Sequence, residues 1–207
     1  MSELFRENKI NKEKEIPSML MELVGKNRSY RRFYQEEPVE GATLRELVNL
    51  ARLSASAANL QPLKYILSCR EESNSKIFST LKWAAYLKDW EGPREGERPP
   101  AYIVMLGDTA IGGFQQVDAG IACQSILLGA AEIGLGGCII ASVNREQLRK
   151  SLDIPGQYEI LYVIALGKPL ETVVIETAKD DIRYWRDEKG VHHVPKRRLE
   201  EIIIQMA

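Results

Sequence analysis

The stretch VDAGIACQSILLGAAEI, which runs from Val117 to Ile133, decides how this protein folds. It is long enough for a helix and apolar on nearly every face, because only Asp118, Gln124, Ser125 and Glu132 interrupt it. A helix that is apolar all round has to be covered on most sides. A chain of 207 residues can bury such a helix alone, but an interface between two copies covers it more readily. The stretch therefore predicts a central helix and favours a dimer.

Four apolar runs elsewhere in the chain predict strands around that helix. Three of them are almost wholly apolar, as strands buried on both faces are. In chain order the runs are Lys64 to Cys69, Ala101 to Leu106, Gly137 to Ala141 and Ile160 to Leu166. Strands and helices do not alternate strictly along the chain, so we expect an α+β fold and not a doubly wound sheet.

Three further helices are predicted from their start and stop signals. Ile16 to Val24 has an early proline and helically spaced apolar residues, and Gly25 is expected to end it. Thr43, with a glutamate three residues later, forms a capping box that places the start of a second helix. Asn144 marks the start of a third helix, which has to end before Pro155.

Residues 79–100 differ from these regular stretches. They mix charges, prolines and glycines with Trp83, Tyr86 and Trp90. Such a composition is typical of an irregular surface segment with a few apolar anchors, and we expect it to act as a lid. Its aromatics either touch a substrate or anchor the lid on the core.

The C-terminal arm, residues 180–207, is expected to begin with a β-hairpin. Its strands are predicted at Arg183 to Arg186 and Val191 to Val194, joined by a four-residue loop that ends in glycine. The arm then carries a basic triplet and a short apolar tail. We therefore expect one domain over residues 1–207, with a lid and an arm.

Composition excludes several classes of function. The chain has 28 Lys and Arg against 29 Asp and Glu, and its net charge of −1 lacks the positive excess that nucleic-acid binding requires. The charged N-terminus and the lack of a long apolar window predict neither a secretory signal nor a membrane span. The three cysteines lack the spacing of a zinc site or a disulfide framework, which favours a reduced, cytoplasmic protein.

The sequence contains no familiar catalytic set. His192 and His193 are adjacent on a predicted strand and so point to opposite faces, which prevents them from sharing one metal site or one triad. The glycines of Gly134 to Gly137 precede a strand, whereas a dinucleotide fingerprint follows a strand and opens a helix. We therefore predict no metal site and no catalytic side chain, and expect a cofactor to supply the chemistry.

Three segments offer groups for a cofactor. RSYRRF, residues 28–33, concentrates three guanidiniums and a hydroxyl that suit a phosphate, or else forms a solvated turn paired with Glu36 and Glu37. LSASAANLQP, residues 53–62, carries little side-chain bulk, so a flat ring can approach its backbone, or else a helix simply ends there. The basic triplet, residues 196–198, offers further phosphate contacts or is a solvated run.

Taken in order, these segments resemble the nitroreductase family of FMN-dependent oxidoreductases, from about Leu23 to Ile203. The resemblance implies a mixed central sheet flanked by helices in an intertwined homodimer, with FMN at the interface. It is carried by RSYRRF, SASAANLQP, Asp118-Ala119-Gly120, Gln124-Ser125, Gly134-Leu135-Gly136-Gly137-Cys138 and the basic cluster with its Leu-acidic-acidic tail.

The resemblance also implies roles for residues. Arg28, Ser29 and Arg31 would hold the FMN phosphate and the pyrimidine edge. Residues 53–62, which we call the small-residue loop, would line the ring from the partner subunit. The end of the third predicted strand, Gly137 to Ala141, would lie against the ring with backbone amides as donors. Two members of the basic triplet would close on the phosphate. The remaining residues expected at FMN are Ser56, Ala57, Asn59, Ile140, Ala141, Ser142, Lys196, Arg197 and Arg198.

For activity, the resemblance implies ping-pong hydride transfer from NADH or NADPH through flavin N5 to a small flat electron acceptor, such as a nitroaromatic or a quinone. Two alternatives stay open. One is a specialised flavoenzyme of the same fold, which removes halogen or breaks down flavin, and the other is a non-catalytic FMN-binding or storage protein.

Overall fold

The computed structural model describes residues 18–206, and a four-stranded sheet lies at its centre. Neighbouring strands pair antiparallel in the order β1-β2-β4-β3. A parallel bridge between Ser29 and Gly137 extends the β3 edge. All four predicted strands are present, close to their predicted bounds: β1 (Leu63–Ser68), β2 (Ala101–Asp108), β3 (Gly136–Ile140) and β4 (Tyr158–Gly167).

The predicted central helix is α4 (Gln115–Glu132), which packs on one face of the sheet beside α2 (Gly41–Leu53). Ile103 and Met105 of β2 point into this layer, because alternate side chains of a strand face the same side. α1 (Ser18–Lys26) lies against α4 as well. This arrangement buries eight of the 18 residues of α4 in the chain's own fold.

The opposite face of the sheet is covered by α3 (Glu71–Phe78) and α5 (Arg145–Ser151). Tyr102 and Val104 of β2 point to this side and pack with Ile77. Both faces of β2 are therefore buried, which explains why its sequence is apolar without alternation.

Part of α4 stays uncovered in the single chain. Val117 and Ile121 are exposed on the same face as Gly120 and Gln124, at helical spacing. We call these four residues the α4 stripe. Its exposure agrees with the expectation that a second copy covers the helix.

Two helix boundaries differ from the prediction. The capping box at Thr43 does not form, because α2 begins at Gly41 and the carbonyl of Glu40 already accepts from the amide of Leu44 at 3.2 Å. Thr43 therefore lies inside the first turn. By contrast, the predicted Asn144 cap forms, since its side chain accepts from a backbone amide at 3.1 Å.

The first helix also ends later than predicted. α1 continues through Gly25, because the amide of Asn27 donates to the carbonyl of Leu23 at 2.8 Å and closes another turn. The predicted start at Ile16 lies outside the described residues.

A second sheet joins the C-terminal arm to the stretch before it. It has three strands, β5 (Val173–Thr177), which precedes the arm, and β6 (Trp185–Arg186) and β7 (His192–Lys196) within it, in the order β5-β7-β6. β6 and β7 form the predicted hairpin, with a shorter first strand. β5 pairs parallel to β7 and was not predicted, because its apolar pattern is short and partly exposed. A short helix, α6 (Leu199–Ile202), follows.

Candidate functional site

The RSYRRF motif follows α1 and runs along the β3 edge of the central sheet. The amide of Tyr30 donates to the carbonyl of Gly137 at 3.0 Å, next to the parallel bridge of Ser29. Phe33 is fully buried in the core and forms a bridge with Pro169. The motif is therefore fixed at both ends, and its arginines project from a rigid backbone.

The three arginines of the motif have different surroundings. Arg31 is buried, and its Nη1 donates to the carbonyl of Ser29 at 3.1 Å. Arg28 donates from Nη2 to the carbonyl of Val24 at 2.8 Å, while its buried Nε has no partner among the described residues. Arg32 forms an ion pair with Glu97 at 2.6 Å.

The alternative of a solvated turn paired with Glu36 and Glu37 does not describe this motif. Glu37 pairs with Lys168 at 2.7 Å, and the carboxylate that Arg32 uses belongs to Glu97 in the 79–100 segment. Arg31 and Phe33 of the motif are buried and Arg32 is paired with Glu97, so the motif is not a solvated turn.

Arg28, Ser29 and Arg31 open onto a cleft of about 280 Å³, which we call the arginine cleft. Lys196 of β7 reaches it from the C-terminal arm, so two motifs far apart in sequence meet here. Its other walls come from the residue before the motif, from α4, from β3 and from the arm: Asn27, Gln124, Leu127, Ile139, Tyr184, His192 and Val194. Three cations beside an apolar wall suit a ligand with an anionic end and an apolar body.

His192 lies in the wall of the arginine cleft with only 1% of its surface exposed. Its Nε2 is 3.3 Å from Nη1 of Arg31, while its Nδ1 is buried without a partner in the described part of the chain. Burial, and next the positive charges of Arg31 and Arg186, lower the pKa of His192 to about 4. The ring is therefore neutral at physiological pH and accepts the hydrogen bond from Arg31, since a guanidinium only donates.

Glu171 is a buried carboxylate that no sequence motif identifies. It accepts hydrogen bonds from the consecutive amides of Arg31 and Arg32, and its second oxygen pairs with Arg186 at 2.7 Å. A carboxylate on two successive amides fixes the backbone at that point. Glu171 thus joins the RSYRRF motif to the C-terminal arm.

The small-residue loop is organised by Asp118 at the start of α4. Ser56 donates from Oγ to the buried Asp118 carboxylate at 2.6 Å, and the amide of Ala57 donates to its other oxygen at 2.9 Å. Asn59 follows with a positive φ of 56°. The loop borders a separate cavity of about 240 Å³, so one chain alone does not bring Ser56, Ala57 and Asn59 to the arginine cleft.

The end of β3 presents its backbone and not its largest side chain. Ile140 is buried in the core, whereas Ala141 and Ser142 are exposed. The carbonyl of Ser142 accepts from the amide of Lys82 at 2.9 Å, which ties this strand end to the 79–100 segment. The neighbouring Ile139 side chain lines the arginine cleft and was not among the predicted residues.

Of the basic triplet, Lys196 faces the arginine cleft. Arg197 lies 3.9 Å from Glu201 and is exposed, and Arg198 is exposed at the start of α6. In the single chain the three residues therefore point to different surroundings.

The aromatics of the 79–100 segment contact other parts of the chain. Trp83 packs with Phe78 on the core, with ring centroids 6.0 Å apart, and Trp90 lies under the guanidinium of Arg186 at 4.9 Å. Tyr86 is 53% exposed and packs against Tyr184 in a tilted arrangement, with ring centroids 4.9 Å apart. Trp83 and Trp90 thus serve as anchors, while Tyr86 has a face open to solvent.

Residues 24–168 match the model of the nitroreductase family. The match covers well over half of the chain, so this chain belongs to the nitroreductase family. A protein of Methanothermobacter thermautotrophicus, provisionally named NADH dehydrogenase/NAD(P)H nitroreductase, is 29% identical over 159 residues, which cover 73% of this chain and 78% of the relative.

Two solved structures share the fold. A nitroreductase family protein of Streptococcus pneumoniae TIGR4 has a TM-score of 0.65 at 17% identity, over 90% of this chain and 100% of that chain. NADPH:FMN oxidoreductase of Vibrio harveyi, solved with NAD+, has a TM-score of 0.58 at 20% identity, over 74% of this chain and 70% of that chain. Among residues 18–206, no helix combines the length and apolarity needed to cross a membrane.

Proposed function

We propose that this chain is an FMN-dependent NAD(P)H oxidoreductase that reduces a small flat acceptor, such as a nitroaromatic or a quinone. The observation that carries the proposal is the arginine cleft, where Arg28, Ser29 and Arg31 meet Lys196. Family membership supports the proposal, as does the name of the Vibrio protein, which includes FMN and NADPH, and that of the Methanothermobacter protein, which includes NAD(P)H.

The dimensions and charges of the arginine cleft fit one end of FMN. Three cations suit a phosphate, and the unpartnered Nε of Arg28 is a donor that such a ligand satisfies. A volume of about 280 Å³ lies at the lower end of the range for pockets that enclose a whole small molecule. We therefore assign this cleft to the phosphate and its chain, which would leave the flavin ring outside it.

A second copy of the chain completes the ring site in this proposal. The α4 stripe exposes the apolar side chains of Val117 and Ile121, and the small-residue loop lies at the N-terminal end of the same helix. When two copies pack through this surface, Ser56, Ala57 and Asn59 of one subunit approach the ring held by the other. The active unit is then a homodimer, which the free cysteines and balanced charge suit to the cytoplasm.

When bound, FMN would supply the redox chemistry between NAD(P)H and the second substrate. The protein would bind and orient the cofactor. Arg28, Arg31 and Lys196 would neutralise the phosphate, and the backbone amides of Ala141 and Ser142, just after β3, would serve as donors to the polar edge of the ring. Tyr86 offers an exposed aromatic surface for a flat substrate.

Anaerobic mixing of the flavin-loaded protein with NADH or NADPH tests the proposal. Rapid bleaching of the flavin absorbance, reversed by adding a quinone, is the expected result. Bound flavin that neither nucleotide reduces would instead indicate a binding or storage protein. Reduction by NAD(P)H without transfer to quinones or nitroaromatics would point to a specialised flavoenzyme of the same fold.

A further inference from the structure

The guanidinium of Arg31 is held by the C-terminal arm and not by its own motif alone. It lies 4.8 Å over the ring of Tyr184 and 3.3 Å from Nε2 of His192. Tyr184 and His192 also pack on each other, with centroids 5.2 Å apart. The arm thus forms two sides of the pocket that surrounds Arg31.

We propose that His192 is a positioning residue of the arginine cleft, which acts by accepting a hydrogen bond from Arg31 and keeping that guanidinium in the cleft wall for FMN. The inference rests on the proposed function and extends it to a residue outside the RSYRRF motif.

The chemistry of the pair supports this role. Arginine remains a donor at every physiological pH, so the His192 ring has to be neutral and present a lone pair at Nε2. The proton then resides on Nδ1, a buried donor without a partner in the described chain. Leaving such a donor unpaired costs stability, which is typical of a residue retained for a site and not for the fold.

The groups around His192 keep it neutral. Arg31 of the motif and Arg186 of β6 place positive charge beside it, and His193 follows it on β7. Glu171 neutralises Arg186 at 2.7 Å but does not contact the His192 ring within hydrogen-bonding distance in the described structure. Tyr184 contributes an uncharged ring. A protonated His192 would both lose its acceptor and repel Arg31.

A double-mutant cycle on FMN affinity separates positioning from a general structural effect. His192→Leu removes the acceptor and Arg31→Ala removes the group that it holds. We expect each variant to weaken FMN about tenfold to a hundredfold, the range of one charge-assisted contact. The double variant should bind no more weakly than Arg31→Ala, because His192 acts only through Arg31.

Two further variants act as controls. His192→Gln should retain FMN affinity close to that of the wild type, since the amide oxygen can accept in place of Nε2. His193→Leu should also retain it, because His193 stacks on Trp185 at 4.0 Å on the other face of β7. Should His192→Leu fail to fold, His192→Phe keeps a ring without an acceptor and takes its place in the cycle.

Flavin fluorescence titration measures all of these affinities. Wild-type protein that binds no FMN would refute the proposed function itself. Wild-type protein that binds FMN while His192→Leu binds it equally well would overturn only the role of His192. Losses that multiply in the double variant, or a His192→Gln variant as weak as His192→Leu, would overturn it too.

Discussion

Among single residues, the arginines of the RSYRRF motif have different contacts and different proposed roles. Arg28 lines the arginine cleft and has an unsatisfied buried nitrogen, whereas Arg32 points away and pairs with Glu97. The ion pair with Glu97 holds Arg32 toward the 79–100 segment, whereas Arg28 has no acidic partner among residues 18–206 and faces the cleft. Charge alone therefore does not identify the residues that bind a ligand.

Replacing the two arginines separately tests this division. Arg28→Ala should weaken FMN binding about tenfold to a hundredfold, because a charge-assisted contact is worth about 1.5–3 kcal/mol. Arg32→Ala should leave FMN affinity nearly unchanged and lower the free energy of unfolding instead, since Glu97 loses a partner. Flavin fluorescence titration and urea unfolding check the two effects. Equal FMN affinities of the two variants would reject the assignment.

His192 should make stability depend on pH. Its pKa is lowered to about 4 in the folded protein, so between that value and its ordinary pKa of 6.5 the unfolded chain binds more protons. Stability therefore falls as the pH drops from 7 to 5, and the His192 contribution to this loss is about 2 kcal/mol. Urea unfolding in saturating FMN should show a smaller loss for His192→Gln. The same pH dependence in both proteins would contradict the assignment.

At the scale of elements, the 79–100 segment is attached to the core at both ends. Near its start the amide of Lys82 donates to Ser142, and near its end Glu97 holds Arg32 while its carbonyl accepts from Phe33 at 2.9 Å. Any motion of this segment as a lid is thus confined to its middle, around Tyr86. That the segment acts as a lid stays a prediction.

The attachment at Glu97 can be measured through stability. Glu97→Gln removes the charge that pairs with Arg32 at 2.6 Å and with Arg94 at 3.2 Å, and we expect a loss of about 1–3 kcal/mol in the free energy of unfolding. Glu95→Gln is the matched control, because the Glu95 side chain is 70% exposed and its pair with Arg98 should contribute less than about 1 kcal/mol. Comparable losses in both variants would argue against a buried anchor at Glu97.

The elements differ in how well their sequences predict them. β2 and α4 were predictable because burial on nearly all sides demands an apolar run, which is visible in a single sequence. The start of α2 was not predictable in this way. The capping signal at Thr43 favours a start at that residue, but the helix already begins at Gly41. β5 carries too short a pattern to stand out.

Within the candidate site, the residues that could be predicted are those that lie close together in the sequence. The RSYRRF motif is visible because three cations lie together, and the family resemblance then gave them roles. Glu171 and His192 are single residues whose partner Arg31 lies 140 and 161 positions away. Such contacts exist only after folding, so no local pattern reveals them.

In the whole molecule, the proposed flavin site requires a dimer that packs through the α4 stripe. Gly120 lies in this stripe, and a Cβ built on it would meet no atom within 4 Å in the single chain. By contrast, a Cβ at Gly129 of the same helix would collide with Leu50. Packing within one chain thus explains why residue 129 is a glycine. It does not explain the glycine at residue 120, which we attribute to the close approach of a second copy.

Gly120→Gln tests that requirement. Glutamine favours a helix over glycine by about 0.5–1 kcal/mol, so the isolated chain should tolerate or prefer the change. A long side chain in the stripe should nevertheless shift the dimer toward monomers and lower FMN affinity. Gly156→Gln, at an exposed glycine with equal free space, should do neither. Light scattering measures the mass, and an unchanged dimer would exclude this surface as the interface.

The flavin content of the purified protein tests directly whether the arginine cleft is a flavin site. After dialysis against excess FMN and removal of unbound cofactor, we expect a yellow protein with about one FMN per chain, and much less flavin on Arg28→Ala. A wild-type protein that is folded yet retains no FMN, or retains as much FMN with Arg28→Ala as without it, would contradict the claim that the arginine cleft is a flavin site.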